Sequence, residues 1–171
     1  MEACEQTKGL NTLQHGQAVH ESYKQLIAEL ESGDCDCKIL TDLYARYKLP
    51  PPAVLERQHV YHDCGKYLCL TIDENGKRHF PNHAAVSAEQ FSRIWPDDGF
   101  TKQLIAHDMD FHTLRGDDLT ATCNMAIAPI LYFTAWAEIN ANAEMFGGRS
   151  SDSYKIKAKR LLQAGKKLLN H

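Results

Sequence analysis

Apolar residues in this chain recur at three- and four-residue spacing, and prolines and glycines cut the pattern into short lengths. Over residues 12–31 the stripe is Leu13, Tyr23, Leu26, Ile27 and Leu30, which a helix gathers on one face. His20 falls on the same stripe as Tyr23, Ile27 and Leu30 and is expected to face inward. "KILTDLYARY" reads as a second helix, ended by Pro50-Pro51-Pro52. Because proline is tolerated in a first helical turn, a third helix can run from Pro52 to Cys64 with Gly65 as its stop. Asn82 can cap a helix from His83 to Trp95, which Pro96 and Asp97-Asp98-Gly99 end. Further helices are expected at about 100–113, 117–128, 129–145 and 152–169. Only "YLCLTIDENGKRHF", with its Asp73–Gly76 turn, reads as β structure. The expectation is an all-α bundle with at most one short hairpin, at about residues 67–80.

With 171 residues and no repeat or linker, the chain is read as a single domain, 1–171, large enough for a sizeable core. Its net charge of -3 argues against an extended nucleic-acid surface. No apolar run approaches the ~20 residues that cross a bilayer, and the N-terminus lacks a signal-peptide core. A cytoplasmic protein without a membrane partner is therefore expected. The six cysteines contain no C-x-x-C pair, so they are read as reduced thiols, with Cys35-Asp-Cys37 a loop feature. The last segment, residues 150–171, is a basic amphipathic helix, read as a packed terminal helix with a solvated face.

The chemistry concentrates in the histidines. Of the nine, His59, His62, His79, His83 and His107 fall within one stretch, and His112 follows closely. In "HDCGK", His62 and Asp63 are adjacent, so they share no helix face, yet they can converge on a point just beyond a helix end. A metal ion is the best candidate for that point. His20, His62–Asp63, His83, His107–Asp108 and Glu138 all lie on, or at the end of, predicted helices, and facing helices of a bundle are where such side chains assemble metal sites. Imidazole with carboxylate suits Mn, Fe, Ni, Co or Zn, and carboxylate with water suits Mg. Each group also has an ordinary reading: His20 a core histidine, His83 a first-turn residue, His107–Asp108 a surface pair, Lys66 a solvated lysine. Their common register favours the metal.

The stretch "HDCGKYLCLTIDENGKRHFPNHAAVSAEQF" resembles the HD-domain phosphohydrolase superfamily, most of all the HD domain of bacterial CCA-adding tRNA nucleotidyltransferases. The matching elements are His62–Asp63, Gly65–Lys66, Asp73 with Gly76, Phe80, His83 and Ser87–Ala88, then His107, Asp108 and His112 in "LIAHDMDFHTL". The resemblance covers roughly residues 15–146 and leaves no room for the polymerase head of those enzymes in these residues, so CCA addition is not expected. It implies an HD-type helical bundle and metal-assisted phosphoester hydrolysis. His20, His62, Asp63 and Glu138 would hold one ion; Asp63 would bridge to a second at His83 and His107, aided by Asp108. With one ion, His83 and His107 would contact phosphate or protonate the leaving group. Lys66, and more loosely Arg115, Lys77 and Arg78, would neutralise phosphate charge.

One position departs from the family pattern: its late aspartate is Glu138 here. Either Glu138 ligates, or the fourth ligand is Asp108, Asp110, Asp117 or Asp118, or the site is weakened. The implied substrate is a small nucleotide: a 2′,3′-cyclic phosphodiester or nucleotidase substrate, a cyclic-nucleotide signal or a deoxynucleoside triphosphate. The alternative is a weakened HD module that binds a nucleotide or RNA end as a sensor. A homo-oligomer is compatible with either reading.

Overall fold

The computed structural model describes all residues except Ala3, Lys8 and Gly9, together with the side chains of all described residues but Gln6 and Thr7. In chain order the elements are β1 (Glu5–Thr7), β2 (Leu10–Asn11), α1 (Thr12–Ser32), α2 (Lys38–Arg46), α3 (Pro52–Tyr61), α4 (Lys66–Cys69), β3 (Thr71–Ile72) and β4 (Arg78–His79). There follow α5 (His83–Ile94), α6 (Gly99–Ala106), α7 (Asp110–Thr113), α8 (Gly116–Cys123), α9 (Ala128–Ala141), a 3-10 turn (Glu144–Phe146) and α10 (Asp152–Leu169). The fold is mostly helical, as the apolar spacing predicts.

Helix α9 is the axis of the packing. It is apolar nearly all round, and every residue from Ala128 to Ile139 is buried, which only a central helix can satisfy. Helix α1 lies along it, α3 packs on α1, and α10 covers another side of α9. Tyr23, Leu43, Leu55, Phe111, Tyr132 and Leu168 bring six different helices into one core. A smaller core of Cys64, Ala88, Phe91 and Ile105 joins the segment after α3 to α5 and α6. Among the described residues no single helix is long and apolar enough to cross a membrane.

Local chemistry explains most boundaries. Helix α1 starts in a reciprocal cap: the Asn11 side chain accepts from the Gln14 N–H at 2.8 Å, and the Gln14 side chain accepts from the Asn11 N–H at 3.1 Å. It ends where Gly33 turns left-handed at φ 82°. Pro52 opens α3, and the expected hairpin pairs Thr71 with His79 and Ile72 with Arg78.

Four expectations are corrected. A second small strand pair, β1 with β2, was too short to show an alternating pattern. Helix α3 stops at Tyr61, so His62–Cys64 form a turn instead of a last helical turn. Asn82 is left-handed at φ 55° and its side chain makes no capping bond. Gly65 keeps a right-handed φ of -91° and does not act as a left-handed stop. Its lack of a side chain serves packing, because a Cβ there would sit 2.6 Å from the Ser87 amide nitrogen at the heart of α5.

Gly16 has the same role at the crossing of α1 and α3. A Cβ on it would lie 2.8 Å from the His59 carbonyl oxygen and nearer still to that of Val60, both backbone atoms that cannot swing away. The close approach sets His15 beside His62, with ring centroids 5.2 Å apart. Gly16→Ala should therefore destabilise the protein by about 1–3 kcal/mol in urea unfolding, the usual cost of overpacking; unchanged stability would mean the helices do not touch there.

Candidate metal centre

The turn after α3 delivers His62 and Asp63 into the bundle, α1 supplies His15, the turn after α6 supplies Asp108, and α9 supplies Glu138. All five are buried. They form two groups that share His62: His15, His62 and Asp63, and then His62, Asp108 and Glu138, with the ligand atoms of each group within 4.8 Å of one another. These groups can hold a metal ion.

The orientation of His62 fixes the chemistry. Its Nδ1 lies 2.7 Å from the His59 carbonyl oxygen, which only accepts, so Nδ1 carries the hydrogen and Nε2 faces the cluster. Nε2 sits 3.0 Å from Glu138 Oε1 and 3.2 Å from Asp63 Oδ2, and neither contact is aligned as a hydrogen bond. A lone pair against two carboxylate oxygens is repulsive unless a positive charge sits among them. Either a proton or a metal cation meets that need.

The other members are held at one end and open at the other. Asp63 Oδ2 accepts from Lys66 Nζ at 2.6 Å and lies 3.7 Å from His15 Nε2. Glu138 Oε2 is 2.5 Å from His112 Nε2, which leaves Oε1 for the cluster. Asp108 Oδ1 accepts a long 3.4 Å bond from Gln58. His15 Nδ1, His62 Nε2, Asp63 Oδ1 and Asp108 Oδ2 are buried without a hydrogen-bond partner among the described residues. Each such group costs about 1–3 kcal/mol when unsatisfied, so four in one place is the mark of a site built for a ligand. The donors are imidazole nitrogens and carboxylate oxygens, the set that suits Mn, Fe, Co, Ni or Zn.

The protonation states agree with this geometry. Burial, reinforced by the His62 charge, pushes the His15 imidazole down to about 4, so it stays neutral and able to ligate. Burial and then the Glu138 charge push the Asp108 carboxyl up to about 7. Burial opposes ionisation of Asp63 and Glu138, but it is outweighed by His62 and Lys66 at Asp63 and by His112 and His62 at Glu138, so both stay ionised. Burial likewise opposes a charge on His62, yet Asp63 and Asp108 raise it well above the usual imidazole range. The cluster thus attracts positive charge to one spot.

Several sequence-predicted residues lie elsewhere. His20 is not in the cluster; its Nδ1 meets His59 Nδ1 at 3.1 Å, and His15 stands in the place expected for it. Five helical residues separate them, a rotation of roughly 140° and a rise of about 7.5 Å, so one helix cannot aim both at the same point. His107 turns to Asp110, Nδ1 to Oδ2 at 2.9 Å, and remains partly exposed. It therefore does not join His83, whose Nε2 lies 3.7 Å from Asp63 Oδ1, in a second ion set. Arg115 points its guanidinium at the Leu114 and His112 carbonyls. Arg78 pairs with Glu5 at 2.8 Å, and Lys77 stays on the same hairpin. None of these three lines the cavity beside the cluster. Asp110, Asp117 and Asp118 are likewise outside both groups.

That cavity is about 230 Å³ and is lined by His15, Asp63, Lys66, His83, His112 and Glu138, and by Asn142, Phe146 and Lys157 from later in the chain. A larger cavity of about 800 Å³, lined by Arg57, Tyr61, Trp95 and Phe100 among others, shares no residue with the cluster. The sequence reading missed His15 as a ligand and Lys157 as a wall residue. The Gly16 next to His15 was a signal of close helix approach; for Lys157 there was none.

Searches against protein-family models, curated proteins and solved structures return no match for this chain.

Calorimetric titration with Mn²⁺ should show tight binding that falls by at least about tenfold in His15→Ala and in Asp63→Ala, the scale on which loss of a ligand or its support acts. His20→Ala should bind as the parent does. The reverse order of His15 and His20 would place the ion elsewhere.

Proposed function

We propose that this protein is a metal-dependent phosphohydrolase that cleaves a nucleotide phosphoester with an activated water, in keeping with the HD-type motif of its sequence. The observation that carries the reading is the convergence of His15, His62, Asp63, Asp108 and Glu138, four of their polar atoms unpartnered among the described residues, with His15, Asp63 and Glu138 lining a cavity that also holds two lysines and two further histidines. The ligands in this reading are His15, His62, Asp63 and Glu138, with Asp108 beside them. A divalent ion bound there supplies Lewis acidity, which acidifies water and draws charge from a phosphoryl oxygen.

The side chains divide the remaining work. His62 holds its tautomer through the His59 carbonyl, and His112 holds Glu138 by one oxygen. His83 is fixed in the same manner: Nδ1 lies 3.0 Å from the Phe80 carbonyl, so Nε2 faces the cavity. Burial lowers its affinity for a proton, which leaves it a neutral acceptor for the proton of the attacking water and then a donor to the departing oxygen. Lys66 keeps Asp63 ionised. A cavity of 230 Å³ is below the size that encloses a drug-sized ligand, so it takes the phosphoryl end and leaves the nucleoside at the mouth. Reduced cysteines and a cytoplasmic setting belong to the same reading.

A binding module without turnover is the competing reading, favoured by the position of His107 on Asp110 and away from the cluster. Release of p-nitrophenol from bis-p-nitrophenyl phosphate separates the two. With Mn, Ni, Co or Mg supplied in turn, the parent protein should turn over, and the double variant His62→Ala/Asp63→Ala should lose at least about a thousandfold in kcat/KM. Nucleotide binding without metal and without turnover would support the binding module and end the hydrolase reading.

A further inference from the structure

Of the two lysines that line the cavity, Lys66 is the one the sequence nominates for phosphate, but it is bound to Asp63 at 2.6 Å and sits 5.4 Å over the Phe80 ring. Lys157 is different. It projects from α10, is half-buried, and stands 4.9 Å over the Phe146 ring at the cavity wall. No carboxylate among the described residues lies within ion-pairing reach of it, although its charge is felt at His112 inside the cavity. Asn142, which lines the same cavity, holds a buried side-chain oxygen with no partner among the described residues.

Charge balance gives this lysine a task. The cluster side of the cavity carries Asp63 and Glu138, and Lys66 is already paired to Asp63. A phosphate monoester or inorganic phosphate enters such a cavity as a dianion. A dianion would then bring net negative charge into a largely buried site, which is unfavourable unless another cation lies at hand. The ammonium of Lys157 is in place, desolvated on one side by an aromatic ring and free to turn towards an oxygen.

We propose that Lys157, carried by the C-terminal helix and backed by Phe146, is the residue that holds the phosphate group in this cavity. This assignment takes its ligand class from the phosphohydrolase reading. It also gives α10 a place in the site, where the sequence showed only a packed helix with a charged face. The phosphate enters between the metal cluster on one wall and Lys157 on the other, and Asn142 is left to accept a hydroxyl from the alcohol half of the ester.

The test is calorimetric titration of the metal-loaded protein with inorganic phosphate. Lys157→Gln should weaken phosphate binding about tenfold or more, the usual scale for a charge-assisted hydrogen bond, and Lys157→Arg should restore most of it. Metal affinity should be unchanged in both, which shows that the fold and cluster are intact. Lys155→Gln, on an exposed position of the same helix, should bind phosphate as the parent does. Equal phosphate affinity in Lys157→Gln, an equal loss in Lys155→Gln, or no phosphate binding by the parent at millimolar concentration would each overturn the assignment. Turnover of bis-p-nitrophenyl phosphate by the parent, measured alongside, judges the hydrolase reading separately.

Discussion

A ring nitrogen of His62 lies between oxygens of two buried carboxylates, and its other nitrogen is tied to a backbone carbonyl. With the tautomer fixed from behind, the ring cannot turn to relieve the contact, and the carboxylates cannot withdraw because Lys66 and His112 hold them from outside. The result is a buried point of strongly negative potential at His62 Nε2, which calls for a proton or a metal cation. Burial makes such a point costly to leave empty and correspondingly strong as a cation trap, since each charge there is poorly screened.

The helical scaffold is shaped around that point. Helix α9 gives up one buried position of its apolar surface to Glu138, α1 crosses α3 at a glycine so that His15 reaches His62, and α5 closes on Gly65 just past Asp63. Short helices α4 and α7 flank the cluster and bring Lys66 and His112 to its acids. A polar string runs away from the site, from Asp108 through Gln58, Thr134 and His59 to His20. It gives His20 on α1 and Thr134 on α9, polar side chains among largely apolar neighbours, their hydrogen-bond partners.

The sequence was most informative where a local rule decides the outcome. Helical spacing located α1, Pro52 marked the start of α3, and the Asp73–Gly76 turn located the hairpin, because each depends on neighbours along the chain. His62, Asp63 and Glu138 were nameable for a similar reason: a helix end and an inward helical face can be read from a short window. His15 was not, because the choice between it and His20 depends on where α1 crosses α3. That crossing is set by backbone contact at Gly16, between segments far apart in sequence. The role of Gly65 was misassigned on the same ground, a steric need from α5 looking like a helix stop. Lys157 was unreadable, since a basic helix face is the same in sequence whether it meets water or a cavity wall.

The central claim is that the buried imidazoles and acids serve to bind a divalent cation. A crystal structure of the protein grown with Mn²⁺, with anomalous data to locate the ion, tests it most directly. The account predicts one strong anomalous peak with His15, His62, Asp63 and Glu138 at about 2.0–2.3 Å. A cluster with no peak, its carboxylates still closed on the His62 ring, would contradict it.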